Sequence, residues 1–139
     1  MLFRSHIGVC FDTCHVALQF EDPLASLRAY RSEGIRISKV QLSAALMTGG
    51  EKECWEALRP FAEGVYLHQV KARTVGGVLR SWNDLPLALA DDAGRYSVAE
   101  TRVHFHVPLF FQGNGPLAST VSTLVPDFFR EIQIGRAHV

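Results

Sequence analysis

Short apolar runs return along this chain at near-constant intervals, and that rhythm constrains its fold more than any other feature. IGVCF (7–11), IRISKVQLS (35–43) and VYLHQVKA (65–72) are all rich in strand-forming residues. They begin about 29 residues apart, the size of a strand–helix–strand unit. The segments between them have helical spacing. In PLASLRAYRSEG, Leu24, Leu27 and Tyr30 recur on one face; Asp22 can cap the start, Pro23 fits the first helical position and Gly34 can stop it. Residues 51–63 read as a second helix ended by Gly64. A loop at Gly76–Gly77 leads to a short helix from about Asn83, capped by Asn83 or Asp84. TRVHFHVPLF (101–110) is a fourth strand stopped by Pro108. A last helix is expected over 116–130, kinked at Pro126. Alternating strands and helices predict an α/β fold with a largely parallel sheet. Four strands are half of a barrel that takes about 250 residues. The chain is therefore read as a small open α/β domain or as a piece of something larger.

Charge and composition narrow the function. Lys plus Arg equals Asp plus Glu at 14 each, so no basic excess points to nucleic acid. Three cysteines do not make a disulfide framework and fit a reducing, cytoplasmic setting. No apolar run approaches the roughly 20 residues of a membrane span, and the first ten residues lack the features of a signal peptide. GGVL (76–79) and GNGP (113–116) lack the Lys-Ser/Thr ending of a phosphate loop, and there is no serine nucleophile elbow.

Chemistry concentrates in two places. In CFDTCHVAL, Asp12 closes the first strand, and its carboxylate projects at the carboxyl edge of the sheet, where α/β folds place their sites. His15 follows in the next loop, close enough to share a ligand. A carboxylate with an imidazole suits Zn²⁺, Mn²⁺ or Fe²⁺; the alternative is a capping Asp with a packed His. Cys14 lies next to His15, but adjacent side chains on extended backbone point apart, which favours packing over thiol catalysis. In RVHFHV, His104 and His106 at i and i+2 share one strand face, either as ligands or on an exposed edge. Lys39, Gln41 and Ser43 share a face at the end of the second strand and can line a polar pocket. His68 is a lone strand histidine, and Arg102 is a candidate phosphate holder.

IGVCFDTCHVALQFEDP, ISKVQLSAAL, YLHQVKAR and RVHFHVPLF, in that order, closely resemble the EboE-type metabolite-traffic proteins. These belong to the xylose-isomerase-like (sugar phosphate isomerase/epimerase) TIM barrels. The resemblance covers nearly all of residues 5–125. It implies a partial TIM (β/α)8 barrel, holding the later strands only, over residues 1–133. The closing IGRAHV (134–139) matches the translation of a common sequencing adapter and is expected to lie outside the native chain. Residues 65–100 stay open between a barrel unit and an insertion.

The resemblance also implies a site. Endonuclease IV, a relative, carries the same D-T-C-H motif, and its Asp and His bind metal; those roles fall on Asp12 and His15. A later Asp-x-His pair of that relative aligns approximately with HFH, placing His106 on its His, as a ligand, and His104 on its Asp. Where the relative has a further metal-binding His, this chain has Gln41, which argues against a copied trinuclear zinc site. The implied function is secondary-metabolite handling with isomerase/epimerase-type chemistry at a divalent metal. His104, His106 or His68 would move the proton, and Lys39, Gln41, Ser43 and Arg102 would line the substrate pocket. The partners would be a small metabolite and proteins of the same pathway. A non-catalytic metabolite-binding protein is the alternative, and a metal-dependent phosphodiesterase ranks behind both.

Overall fold

The computed structural model describes residues 7–134; residues 135–139 of the adapter-like tail lie outside the described residues. It is a mixed α/β structure with a two-stranded parallel sheet and a five-stranded antiparallel sheet.

The parallel unit follows the local signals closely. Strand β1 (Val9–Asp12) runs into helix α1 (Thr13–Leu18), capped by Asp12, whose Oδ1 accepts from the Cys14 amide at 2.9 Å. Phe20, at φ 59°, turns the chain into helix α2 (Pro23–Ser32). Asp22 caps α2 by accepting from the Ala25 amide at 2.7 Å, and Pro23 takes the first turn, where a missing N–H is harmless. Gly34, at φ 68°, reverses the chain into strand β2 (Ile37–Gln41). β2 pairs in parallel with β1, setting Asp12 opposite Gln41. The unit is thus a βαβ crossover with Asp12 at its carboxyl edge.

From there the topology departs from the expected parallel sheet. Strand β3 (Ala44–Thr48) begins just past β2 and joins a second sheet. Helix α3 (Lys52–Leu58) and a 3-10 turn (Arg59–Phe61) follow, then strands β4 (Val70–Thr74) and β5 (Leu79–Trp82). Helix α4 (Leu85–Ala90), capped by Asp84, leads to the long strand β6 (Val98–Val107) and the short β7 (Ala118–Ser119). The order is β5-β4-β6-β3-β7, and every pairing is antiparallel. Apolar runs forecast strands but not their direction. Gly76–Gly77 is a tight hairpin turn, with Gly77 at φ 83°, and not a loop to a helix. No barrel forms among the described residues.

Two further expectations shift. The run at 65–72 enters its strand only at Val70; Val65, Tyr66 and Leu67 find no strand partner and stay exposed. The helix expected over 116–130 is divided into β7, a 3-10 turn (Thr120–Thr123) and helix α5 (Pro126–Ile134). Pro126 begins α5 instead of kinking it, because the first turn needs no amide there.

Two apolar clusters result. The larger joins the sheet to α3 and α4 through Leu46, Trp55, Leu58, Val70, Leu85 and Val103. The smaller lies under the parallel unit, where Phe11, Leu27, Leu124 and Phe128 meet. Helix α1 spans the seam, packing on both β3 and β6. No helix among the described residues is long and apolar enough to cross a membrane.

Candidate metal centre

The seam gathers the residues singled out from the sequence. β1 ends in Asp12, α1 carries His15, and His104 and His106 project from β6 nearly a hundred residues later. His15 Nδ1 stands 3.3 Å from Asp12 Oδ2, and His106 Nε2 stands 3.7 Å from the same oxygen. His104 Nε2 is 3.1 Å from His106 Nε2, and the His15 and His104 rings meet edge to face at 4.2 Å between centroids. His15 lies on the first turn of α1, not in a loop as expected, because Asp12 starts the helix immediately.

The spacing suits a divalent cation. Two donors about 2.0–2.1 Å from one ion at a tetrahedral angle sit about 3.3 Å apart. The Asp12–His15 and Asp12–His106 separations fall within a few tenths of that figure. The donor atoms of Asp12, His15 and His106 all lie within 4.8 Å of one another. One carboxylate with two imidazoles is a donor set for Zn²⁺, Mn²⁺ or Fe²⁺. Cys14, His104 and His106 form a second such group. Cys14 is fully buried, however, with Sγ against the Phe105 carbonyl at 3.5 Å. Burial, and then the Asp12 charge, push its thiol pKa up to about 12, so it stays a protonated packing group.

His106 is held from behind. Its Nδ1 lies 3.0 Å from Gln41 Nε2 and 3.2 Å from Ser43 Oγ. With Nδ1–H donated to the Ser43 hydroxyl, the Nε2 lone pair is free to face Asp12. Turning the Gln41 amide to present its oxygen supports the same tautomer. Gln41 and Ser43 therefore orient an imidazole. Burial holds the His104 pKa below its ordinary value, and the neighbouring His15 and His106 add to the effect.

Thr13 is the residue that sequence reasoning missed. Buried in the first turn of α1, its hydroxyl lies 2.6 Å from the Ser43 carbonyl and 3.1 Å from the Gln41 carbonyl, and it accepts from the Ser43 amide at 3.0 Å. It locks the element bearing Asp12 and His15 to the segment bracing His106. Its partners are about 30 residues away, so no local pattern announces it.

The remaining candidates sit elsewhere. His68 is buried and stacks face to face on Phe105 at 4.1 Å, with Nδ1 lacking a hydrogen-bond partner among the described residues. Strand alternation sends Phe105 to the face of β6 opposite His104 and His106, so His68 lies behind the cluster. Lys39 is exposed and lines a groove of about 530 Å³ with Leu27, Phe129 and Ile132, away from Gln41 and Ser43. Arg102 is buried and turned inward. It donates to Glu100 at 2.7 Å and to the Ala17 carbonyl at 2.5 Å, and lies over the Phe20 ring at 4.1 Å. It grips the C-terminal end of α1 instead of offering a phosphate site.

No family model, curated protein or solved structure matches the chain.

Proposed function

We propose that the chain carries a mononuclear divalent-metal centre on Asp12, His15 and His106, and that it is part of a larger xylose-isomerase-like protein that handles a small hydroxylated metabolite. The observation that carries this reading is the convergence of three donors from β1, α1 and β6 at coordination spacing. The β1–α2–β2 crossover, with Asp12 at its carboxyl edge, supports the barrel part of the reading.

A bound divalent cation would supply Lewis-acid polarisation of a substrate carbonyl. The chain's own residues supply the rest. Ser43 and Gln41 fix the His106 ring. Asp12 keeps the carboxylate of the donor set in place by capping α1 with its other oxygen. His104 touches both His15 and His106 without belonging to the trio, and its imidazole is the group placed to take and return a proton in an isomerase or epimerase step.

Isothermal titration of the full chain with Zn²⁺, beside Asp12→Ala and His106→Ala, tests the assignment. One ion per chain is expected, with affinity reduced at least about a hundredfold in each variant, beyond the loss that follows removal of an outer-shell partner. Unchanged affinity in both variants would overturn it.

A further inference from the structure

A concavity of about 360 Å³ adjoins the donor cluster, lined by Cys10, Phe11, Asp12, His15, Val16 and Tyr30. Two of these residues are the proposed ligands. The rest of the lining is largely apolar: Tyr30, from α2, stands edge-on to buried Phe11 at 5.7 Å, and Val16 joins them. Among the described residues, no Lys or Arg lines this concavity. The two cations expected to line a substrate pocket are otherwise placed, Lys39 in the separate groove and Arg102 behind α1. Apart from the proposed cation itself, a phosphate dianion entering here would meet the Asp12 carboxylate and a largely apolar lining, with no guanidinium or ammonium of the described residues to pair its second charge.

Resting on the metal reading above, we infer that the site takes an uncharged hydroxy- or oxo-compound with a hydrocarbon body, and not a phosphorylated sugar. Vicinal oxygens at one end face Asp12 and His15, and the apolar body lies along Tyr30 and Val16. Pockets of this kind fix a ligand by a few polar groups and draw affinity from their apolar walls.

The test uses the full chain loaded with Co²⁺, followed by visible absorption. Titrating with 1,2-hexanediol, glycerol and glycerol 1-phosphate compares one diol with an apolar tail, a hydroxyl or a phosphate. Hexanediol is expected to bind at least about tenfold tighter than glycerol, in line with the value of methylenes in an apolar pocket, and glycerol 1-phosphate no tighter than glycerol. Tyr30→Ala, normalised to the cobalt each protein holds, should bring the hexanediol-to-glycerol ratio close to one. Val16→Thr, which keeps the shape of the side chain, should lower the ratio independently if Tyr30→Ala fails to fold. Tightest binding by the phosphate ester, or a ratio unmoved by these variants, would overturn the inference while leaving the metal site standing. A chain that takes up no cobalt before any diol is added would instead remove the metal reading and this inference with it.

Discussion

The parallel unit and the antiparallel sheet are built to different standards of closure. The sheet covers a shared core with α3 and α4, and its central strands bury Leu46, Ala72 and Val103. Among the described residues the parallel unit has two strands, and Val9, Ile35 and Leu42 in and beside them are each more than a third exposed. Parallel strands are ordinarily covered on both faces, and two strands alone are marginal. The proposed centre sits where the two regions meet, with Asp12 and His15 on the weaker region and His104 and His106 on the stronger. A site assembled this way gains precision from the sheet and depends on the seam contacts for the rest.

The contrast can be broken most severely from the sheet side. Leu58 is fully buried between α3 and the sheet, and Leu58→Ala should cost about 2–5 kcal/mol in chemical denaturation. Its effect should appear in every structural probe, because the parallel unit has little to stand on without the sheet. Arg102→Ala acts at the seam itself. It removes a buried guanidinium from Glu100 and the Ala17 carbonyl, and about 2–3 kcal/mol of stability should go with it. Zn²⁺ affinity should fall too, since α1 is no longer held at its C-terminal end. Ser43→Ala leaves the seam packed but removes the hydroxyl behind His106, so a Zn²⁺ titration should show a drop of about 10–100-fold with little change in unfolding.

The smallest expected effect lies within the sheet region and sharpens the comparison by leaving the seam alone. The Trp82 indole and the Gly94 amide donate to Asp91, and these hydrogen bonds hold its carboxyl below the ordinary Asp value. A depressed folded pKa adds stability above the unfolded value, near 3.8, and that stability is lost as pH falls through the folded pKa. Trp82 fluorescence should therefore change below about pH 4. Asp91→Asn should flatten that change, and Zn²⁺ binding at neutral pH should be unaffected.

How legible all this was depended on how local each determinant is. The α2 boundaries could be read directly because Asp22, Pro23 and Gly34 act on their own neighbours. Asp12 at a strand end and the paired imidazoles of HFH were legible for the same reason. Strand direction was not, because it depends on the β4–β5 hairpin and on β3 leaving β2 for another sheet. Arg102 shows the limit for side chains. As an isolated cation on a strand it suggested a phosphate, and only the docking of α1 onto β6 reveals the Ala17 carbonyl waiting for it. His68 is a parallel case, its environment being set by the stack on Phe105.

The central claim is that one ion bridges the two regions. Hydrogen exchange of the full chain with and without Zn²⁺ tests it most directly. At about 100 times the dissociation constant, binding stabilises the closed state by about 2.7 kcal/mol, roughly a hundredfold in exchange rate. The account predicts slowing of that order for amides of β1 and α1, which should exchange faster than β4 and β6 without the ion. Zn²⁺ binding that leaves the exchange of β1 and α1 unchanged would contradict it.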